Sequence, residues 1–233
     1  MAGVLYSLVA LGFVLIFKAS GIFNYAQGVM ALFAALTLVW LQEGRVPFAH
    51  LINAMFGSKV HHFDWTLPAF AAIVFTILIM ILFAFLVEKL VLKHLVNQEP
   101  IILFMATIGL AYFMEGFGDL MWGSDVKTLN VGIPQGGSFW FEDFTIGWAA
   151  EGEKFYGMYI DVLDVWAAII AISLVLVLTM FSQYTKSGRA LRAVADDHQA
   201  ALSVGVSLRV IWVLVWSSSG VVALVAGMMW GGK

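Results

Sequence analysis

The chain alternates long apolar runs with short polar connections. The runs cover residues 1–17, 21–41, 66–87, 100–122, 162–181 and 210–232. A helix needs about 20 apolar residues to cross about 30 Å of hydrocarbon. Five runs reach that length; the first, residues 1–17, rises only about 25 Å. The third and sixth carry no charge, the fourth carries Glu115 and Asp119, and the fifth carries Asp164. The runs are continuous, whereas lipid-facing strands alternate apolar and polar residues over about ten positions. The pattern predicts an all-α fold: a polytopic transmembrane helix bundle of about six spans, forming a single domain over residues 1–233.

Composition agrees. Hydrophobic residues make up 62% and charged residues 12%, with a mean hydropathy of +0.94. Soluble domains carry roughly 45–50% apolar and about 25% charged residues, so lipid must be the solvent here. A net charge of -3 gives no reason to expect nucleic acid as a partner. Cysteine is absent, which excludes disulfides and thiolate metal sites. The first run lacks a basic start and a small-residue cleavage site, so no cleavable signal peptide is expected. Basic residues set the orientation. Lys18, Lys89, Lys93, Lys186, Arg189, Arg192 and Arg209 fall on one side; Arg45, Lys59, Lys127 and Lys154 fall on the other. The first side is expected to be cytoplasmic. The acidic connection 123–161 and the N-terminus are then outside.

Polar residues inside the runs are the candidates for function. "KASGIFNYAQG" places Asn24 and Gln27 three apart near Gly21 and Gly28, which predicts one glycine-and-amide face of the second helix. Such a face suits interhelical hydrogen bonding; alternatively, it lines a translocation path. Ser219, Ala223 and Gly227 repeat at four-residue spacing, which permits close packing or a pore lining. Glu115 and Asp119 are spaced i, i+4 near the outer end of their span. They are either solvated at the interface or turned toward a cationic group of a solute or partner. Asp164 is expected at the interface. "HHFD" offers His61, His62 and Asp64, but neighbouring histidines point apart, so no metal site is expected. "GMMWGGK" matches a phosphate loop by count alone: no strand precedes it and no Ser or Thr follows the lysine. No catalytic constellation is present.

The longest connection on the basic side is "SQYTKSGRALRAVADDHQAALSVGVSLRV". Ala190, Leu191, Val194, Ala195, Ala201, Leu202 and Val206 recur near helical spacing. Asp196 and Asp197 can cap a helix start, and Gly205 marks a helix stop. This predicts two short amphipathic helices on the cytoplasmic face, serving either as a surface anchor or as a docking element for a partner.

Three motifs carry a family resemblance. "GRALRAVADDHQAALSVGVS", residues 188–207, is similar to the coupling loop of branched-chain amino-acid ABC importer permeases of the LivH/LivM type. Gln199, Ala200, Ala201 and Gly205 stand where importer permeases in general carry an "EAA---G" core. "YSLVALGFVLIFKASGIFNYAQG" resembles the family's N-terminal signature, and "IILFMATIGLAYFMEGFGDLMWGSD" its fourth-span pattern. Glu115 departs from that pattern, in which a basic or neutral residue is usual.

The resemblance implies an inner-membrane permease subunit of an ATP-driven importer. Its solute would be a branched-chain amino acid, urea, an amide or an aromatic acid. The implied partners are a second permease subunit, two cytoplasmic ATP-binding subunits, an extracytoplasmic solute-binding protein and membrane lipid. No cofactor is expected on this chain, since ATP and Mg²⁺ are used by the partner ATPases. Residues 183–209 become the coupling segment, with Arg189, Arg192, Asp196, Asp197, Ala200, Ala201 and Gly205 expected to contact the ATPase. Asn24, Gln27 and Glu115 become path candidates. Relatives begin earlier and continue past the position of Lys233, which implies a chain truncated at its C-terminus. The alternative is an ATP-independent transporter or channel, which would typically show internal repeats with broken helices; no clear repeat is seen.

Overall fold

The structure is a computed structural model. It describes residues 2–44, 49–57, 66–95, 98–123, 125, 127, 129, 138–142, 145–149 and 158–232. All six apolar runs contain helices. These are α1 (Ala2–Ser20), α2 (Gln27–Glu43), α4 (Ala69–Leu90), α5 (Pro100–Trp122), α6 (Val162–Tyr184) and α9 (Leu208–Gly231). Five of them are long and apolar enough to cross a membrane; α2, at 17 residues, is shorter. Between α2 and α4 lies the short helix α3 (Ala49–Phe56). Helices α7 (Lys186–Asp196) and α8 (His198–Ser203) join α6 to α9.

The hydropathy pattern does not predict a small antiparallel sheet in the connection between α5 and α6. Strands β1 (Ser138–Glu142), β2 (Thr145–Ala149) and β3 (Met158–Asp161) pair in the order β2-β1-β3. Trp140 stands opposite Gly147 on one side and Tyr159 on the other. The strand β3 runs directly into α6. His61, His62 and Asp64 lie outside the described residues, among which no group of three or more metal-ligating side chains occurs.

Helix α9 is the hub. Within it, 61% of the apolar window is buried, against 28–33% in the other four long spans. It packs on α1, α2 and α4, and its small residues explain how. A Cβ at Gly227 would fall on the Ala31 carbonyl of α2, and one at Gly220 would lie 3.3 Å from the Met80 Cβ of α4. The small-residue repeat is therefore a packing seam, as lipid-embedded helices require when they approach closely. Helices α1 and α9 run antiparallel: Tyr6, at the start of one, stacks edge-on with Trp230, at the end of the other. On the far side of α2, the Phe33 ring lies against Phe83, Phe117 and Trp122, joining α2 to α4 and α5.

Candidate functional site

The second apolar run is not one helix. Lys18 lies in the last turn of α1, and Gly21 reverses the chain at φ +67°. Residues 21–26 then return along α1 without helical structure, and α2 starts only at Gln27. Burial alternates along this return: Ile22, Asn24 and Ala26 face inward, while Gly21, Phe23 and Tyr25 face outward. Asn24 is thus not on a face of α2, as its spacing predicts, but in the turn ahead of it. Part of the reason is local: its side-chain Oδ1 accepts from the Ala26 N–H at 3.1 Å, closing a turn that competes with helix.

Irregular backbone at membrane depth must find partners within the protein. Here Thr107 of α5 supplies them. Its hydroxyl accepts from the Tyr25 N–H at 3.1 Å and lies 3.1 Å from the Phe23 carbonyl and 2.8 Å from the Phe104 carbonyl. The hydroxyl carries one proton, so it donates to one carbonyl at a time. Thr107 opens the "TIGL" stretch, and it is buried. The rings of Phe13, Phe23 and Phe104 pack edge-on over the outward side of the break.

Gln27 begins α2 beside the middle of α9. Its Oε1 accepts from the Ser219 hydroxyl at 2.6 Å and from Asn24 Nδ2 at 3.3 Å, and its Nε2 donates to the Ser219 carbonyl at 3.4 Å. The Ser219 hydroxyl is also 3.1 Å from the Gly12 carbonyl of α1. A Cβ at Gly12 would fall on the Gln27 amide. Asn24 and Gln27 are 0% and 2% exposed. This is a buried network joining α1, α2 and α9, the interhelical role open to these amides from their sequence. Glu115 is not brought to it. It lies on the exposed face of α5 with Asp119, eight residues or about 12 Å of rise beyond Thr107. Asp164 is buried in the first turn of α6, where a helix N-terminus favours an acid.

At the basic end, the connection between α6 and α9 forms two short helices, as its periodicity predicts. Thr185 makes the first corner: its hydroxyl accepts from the Gly188 N–H at 2.9 Å and donates to the Phe181 carbonyl at 2.7 Å. Helix α7 buries Gly188, Leu191 and Val194 against the bundle and exposes Arg189, Arg192 and Asp196. Asp197 caps α8, its Oδ1 accepting from the Ala200 N–H at 3.0 Å. Gly205, at φ +86°, ends α8 with the Val206 N–H donating to the Ala201 carbonyl at 3.0 Å. This six-residue closure needs the left-handed residue that glycine supplies. Of the seven coupling candidates, six are exposed; Ala201 is buried at 3% and packs inward. Beside them Val204 is 78% exposed, an apolar side chain at the tip of the segment.

One further contact fastens this end. Arg209, at the start of α9, donates from Nε to Glu88 Oε2 of α4 at 3.2 Å. The Glu88 side chain is 2% exposed and that of Arg209 is 52%.

Comparison with known proteins places this arrangement. Residues 1–231 match the family described as the permease component of branched-chain amino acid transport systems. The chain belongs to this family. The permease is 24% identical over 229 residues to the high-affinity branched-chain amino acid transport permease LivH of Salmonella typhimurium, and equally to LivH of Escherichia coli K12. It is 23% identical over 230 residues to BraD of Pseudomonas aeruginosa. These alignments cover 98% of the permease and 67% of each relative, so the chain spans about two-thirds of their length. No solved structure matches the permease. Family membership makes the chain a multi-pass transport subunit rather than an enzyme, one that works with ATPase and binding-protein components.

Sequence reasoning passed over Thr107, Thr185, Glu88 and Arg209 as site residues. Thr107 carried a signal: a lone hydroxyl in the apolar first half of its run, within a stretch that resembles the family's fourth-span pattern. Glu88 carried one too, as a lone acid beside Lys89 at the end of a span. Neither signal identifies the partner, which lies 82 residues from Thr107 and 121 from Glu88.

Proposed function

We propose that the permease forms part of the inner-membrane path of an ATP-driven importer for a branched-chain amino acid or a related small solute, delivered by an extracytoplasmic binding protein. Two ATP-binding subunits would use ATP and Mg²⁺, and a second permease subunit would complete the path. The observation that carries this reading is the α7–α8 unit. One face is locked to the bundle, while the other presents Arg189, Arg192, Asp196, Asp197, Ala200, Val204 and Gly205. An exposed apolar tip among charged residues suits a docking partner better than bulk water.

Capture of the cognate ATPase by the detergent-extracted chain tests the docking surface. Ala200→Trp and Val204→Asp are expected to lower capture at least tenfold, about 1.4 kcal/mol, without changing the chain's unfolding midpoint. Ala201→Trp is expected to lower the midpoint, because Ala201 is buried. Failure of the unmodified chain to capture any ATPase would remove the reading.

For the path, the outward side of the helix break is the stronger candidate, because Asn24 and Gln27 are committed to packing. Tyr25 is 54% exposed at membrane depth, on irregular backbone that membranes tolerate only against protein or water. The chain has no cysteine, so Tyr25→Cys gives a clean reporter in the assembled transporter. It is expected to react with a membrane-impermeant thiol reagent and to be shielded by solute. Leu78→Cys, exposed near the middle of α4, is expected to be inert. Equal reactivity at both positions would place Tyr25 outside the path.

A further inference from the structure

Helices α1 and α6 leave a groove between them. Its end beside α7 has a volume of about 400 Å³ and is lined by Lys18, Arg192, Thr179 and Ser182. Neither Lys18 nor Arg192 is ion-paired with a described residue, and both are exposed. Leu11, Val14 and Val175 continue from this end into a second stretch of about 480 Å³, where Ala10, Ala171 and Ile172 extend the walls. The groove therefore has two cations, two hydroxyls and the Gln183 amide at one end, and a body that is apolar apart from Ser218 and Ser7. From Lys18 back to Ser7 at its far end, α1 rises about 16 Å. That is about half the thickness of a 30 Å hydrocarbon core.

We propose that this groove is a binding site for an anionic phospholipid. The phosphodiester would accept from Lys18 and Arg192, and one acyl chain would lie along Leu11, Val14 and Val175 within a single leaflet. Two observations favour a lipid over a free anion: the apolar body would go unused by phosphate, and its length matches one leaflet. Charge favours an anionic headgroup over a zwitterionic one, since basic pockets between membrane helices select anionic lipid. The site joins α1 and α6 to α7, so the bound lipid would brace the helix that carries Arg192. The inference shares Arg192 with the proposed docking face but does not require an ATPase, and its test uses the permease chain alone.

The test is native mass spectrometry of the detergent-solubilised chain titrated with dioleoyl phosphatidylglycerol or dioleoyl phosphatidylcholine. Phosphatidylglycerol is expected to bind more tightly. A chain carrying both Lys18→Gln and Arg192→Gln is expected to lose about 30-fold in that affinity, from about 1 kcal/mol for each basic residue. Lys89→Gln with Lys93→Gln, which removes two cations elsewhere at the same end, is expected to leave it unchanged. Val14→Trp fills the apolar body without altering charge and is expected to weaken binding of phosphatidylglycerol as well. Equal binding of the two lipids, equal loss in the Lys89/Lys93 control, or no effect of Val14→Trp would overturn the proposal. Displacement of phosphatidylglycerol by millimolar inorganic phosphate would also overturn it, by assigning the basic end to a free anion.

Discussion

Gly188→Ala is expected to release α7 from the bundle and to abolish ATPase capture while leaving the membrane spans folded. A Cβ at this position would fall on the Phe181 carbonyl oxygen, 2.5 Å from Ser182 Cα and 2.7 Å from the Ser182 carbonyl oxygen. All three are backbone atoms of α6, so no side-chain rotation relieves the clash. Helix α7 must move away, and Thr185 then loses its bond to the Gly188 N–H. Overpacking costs about 1–3 kcal/mol and a lost N-cap about 1 kcal/mol. A combined loss of about 3 kcal/mol lowers the population of docked α7 roughly 100-fold. Hydrogen exchange gives the readout: amides of α7 should lose protection while those of α9 keep theirs. Thr185→Val removes the cap alone and should show about a third of the effect. Gly116→Ala, where a Cβ meets nothing within 4 Å, should show none. Retained protection of α7 in Gly188→Ala would mean that the α6–α7 corner is not the constraint described here.

Arg209→Ala is expected to lower stability by about 3 kcal/mol or more, because it strands the buried Glu88 carboxylate without its cation. The sign of the charge, rather than the volume, carries the loss. Glu88→Gln keeps an acceptor for Arg209 and leaves the half-exposed guanidinium solvated, so its cost should be nearer 1 kcal/mol. Adding Glu88→Gln to Arg209→Ala should recover most of the stability, since no buried charge remains. Unfolding of the four chains in mixed micelles measures this cycle. A double variant no more stable than Arg209→Ala would show that Arg209 acts through packing instead. The pair also has a mechanical consequence. Arg209 is where the α7–α8 segment re-enters the bundle, and Glu88 ties that point to α4. In the assembled transporter, Arg209→Ala is therefore expected to uncouple ATP hydrolysis from transport in the fraction that folds.

How legible each feature was depended on its range. The spans were legible because hydropathy sums over about 20 residues, and errors at single positions average out. The two helices between α6 and α9 were legible because Leu191 and Val194 recur at helical spacing and Gly205 supplies a stop recognisable from chemistry alone. The break before α2 was not. An apolar run from Ile22 to Leu41 has the same hydropathy as a helix or as an extended segment, and the turn made by Asn24 wins only because Thr107 satisfies the Tyr25 and Phe23 backbone from across the bundle. The same limit explains Ala201. The family resemblance placed it among the expected ATPase contacts, but which face of α8 turns inward depends on how α7 seats on α1 and α6.

By itself, then, the amino-acid sequence determined that this chain lives in lipid, where it crosses, which end gathers cations and which segment projects from that end. These properties are local or additive, so they are set without reference to a partner elsewhere in the chain. Tertiary structure alone joined Gln27, with Asn24 bonded to it, to Ser219 of α9. It alone paired Glu88 with Arg209, and it alone made Gly188 and Gly227 points of contact rather than flexible joints. Each depends on a close approach between residues far apart in the chain. In a membrane, where lipid is as apolar as the side chains it meets, such approaches are set by small residues and satisfied polar groups rather than by hydrophobicity.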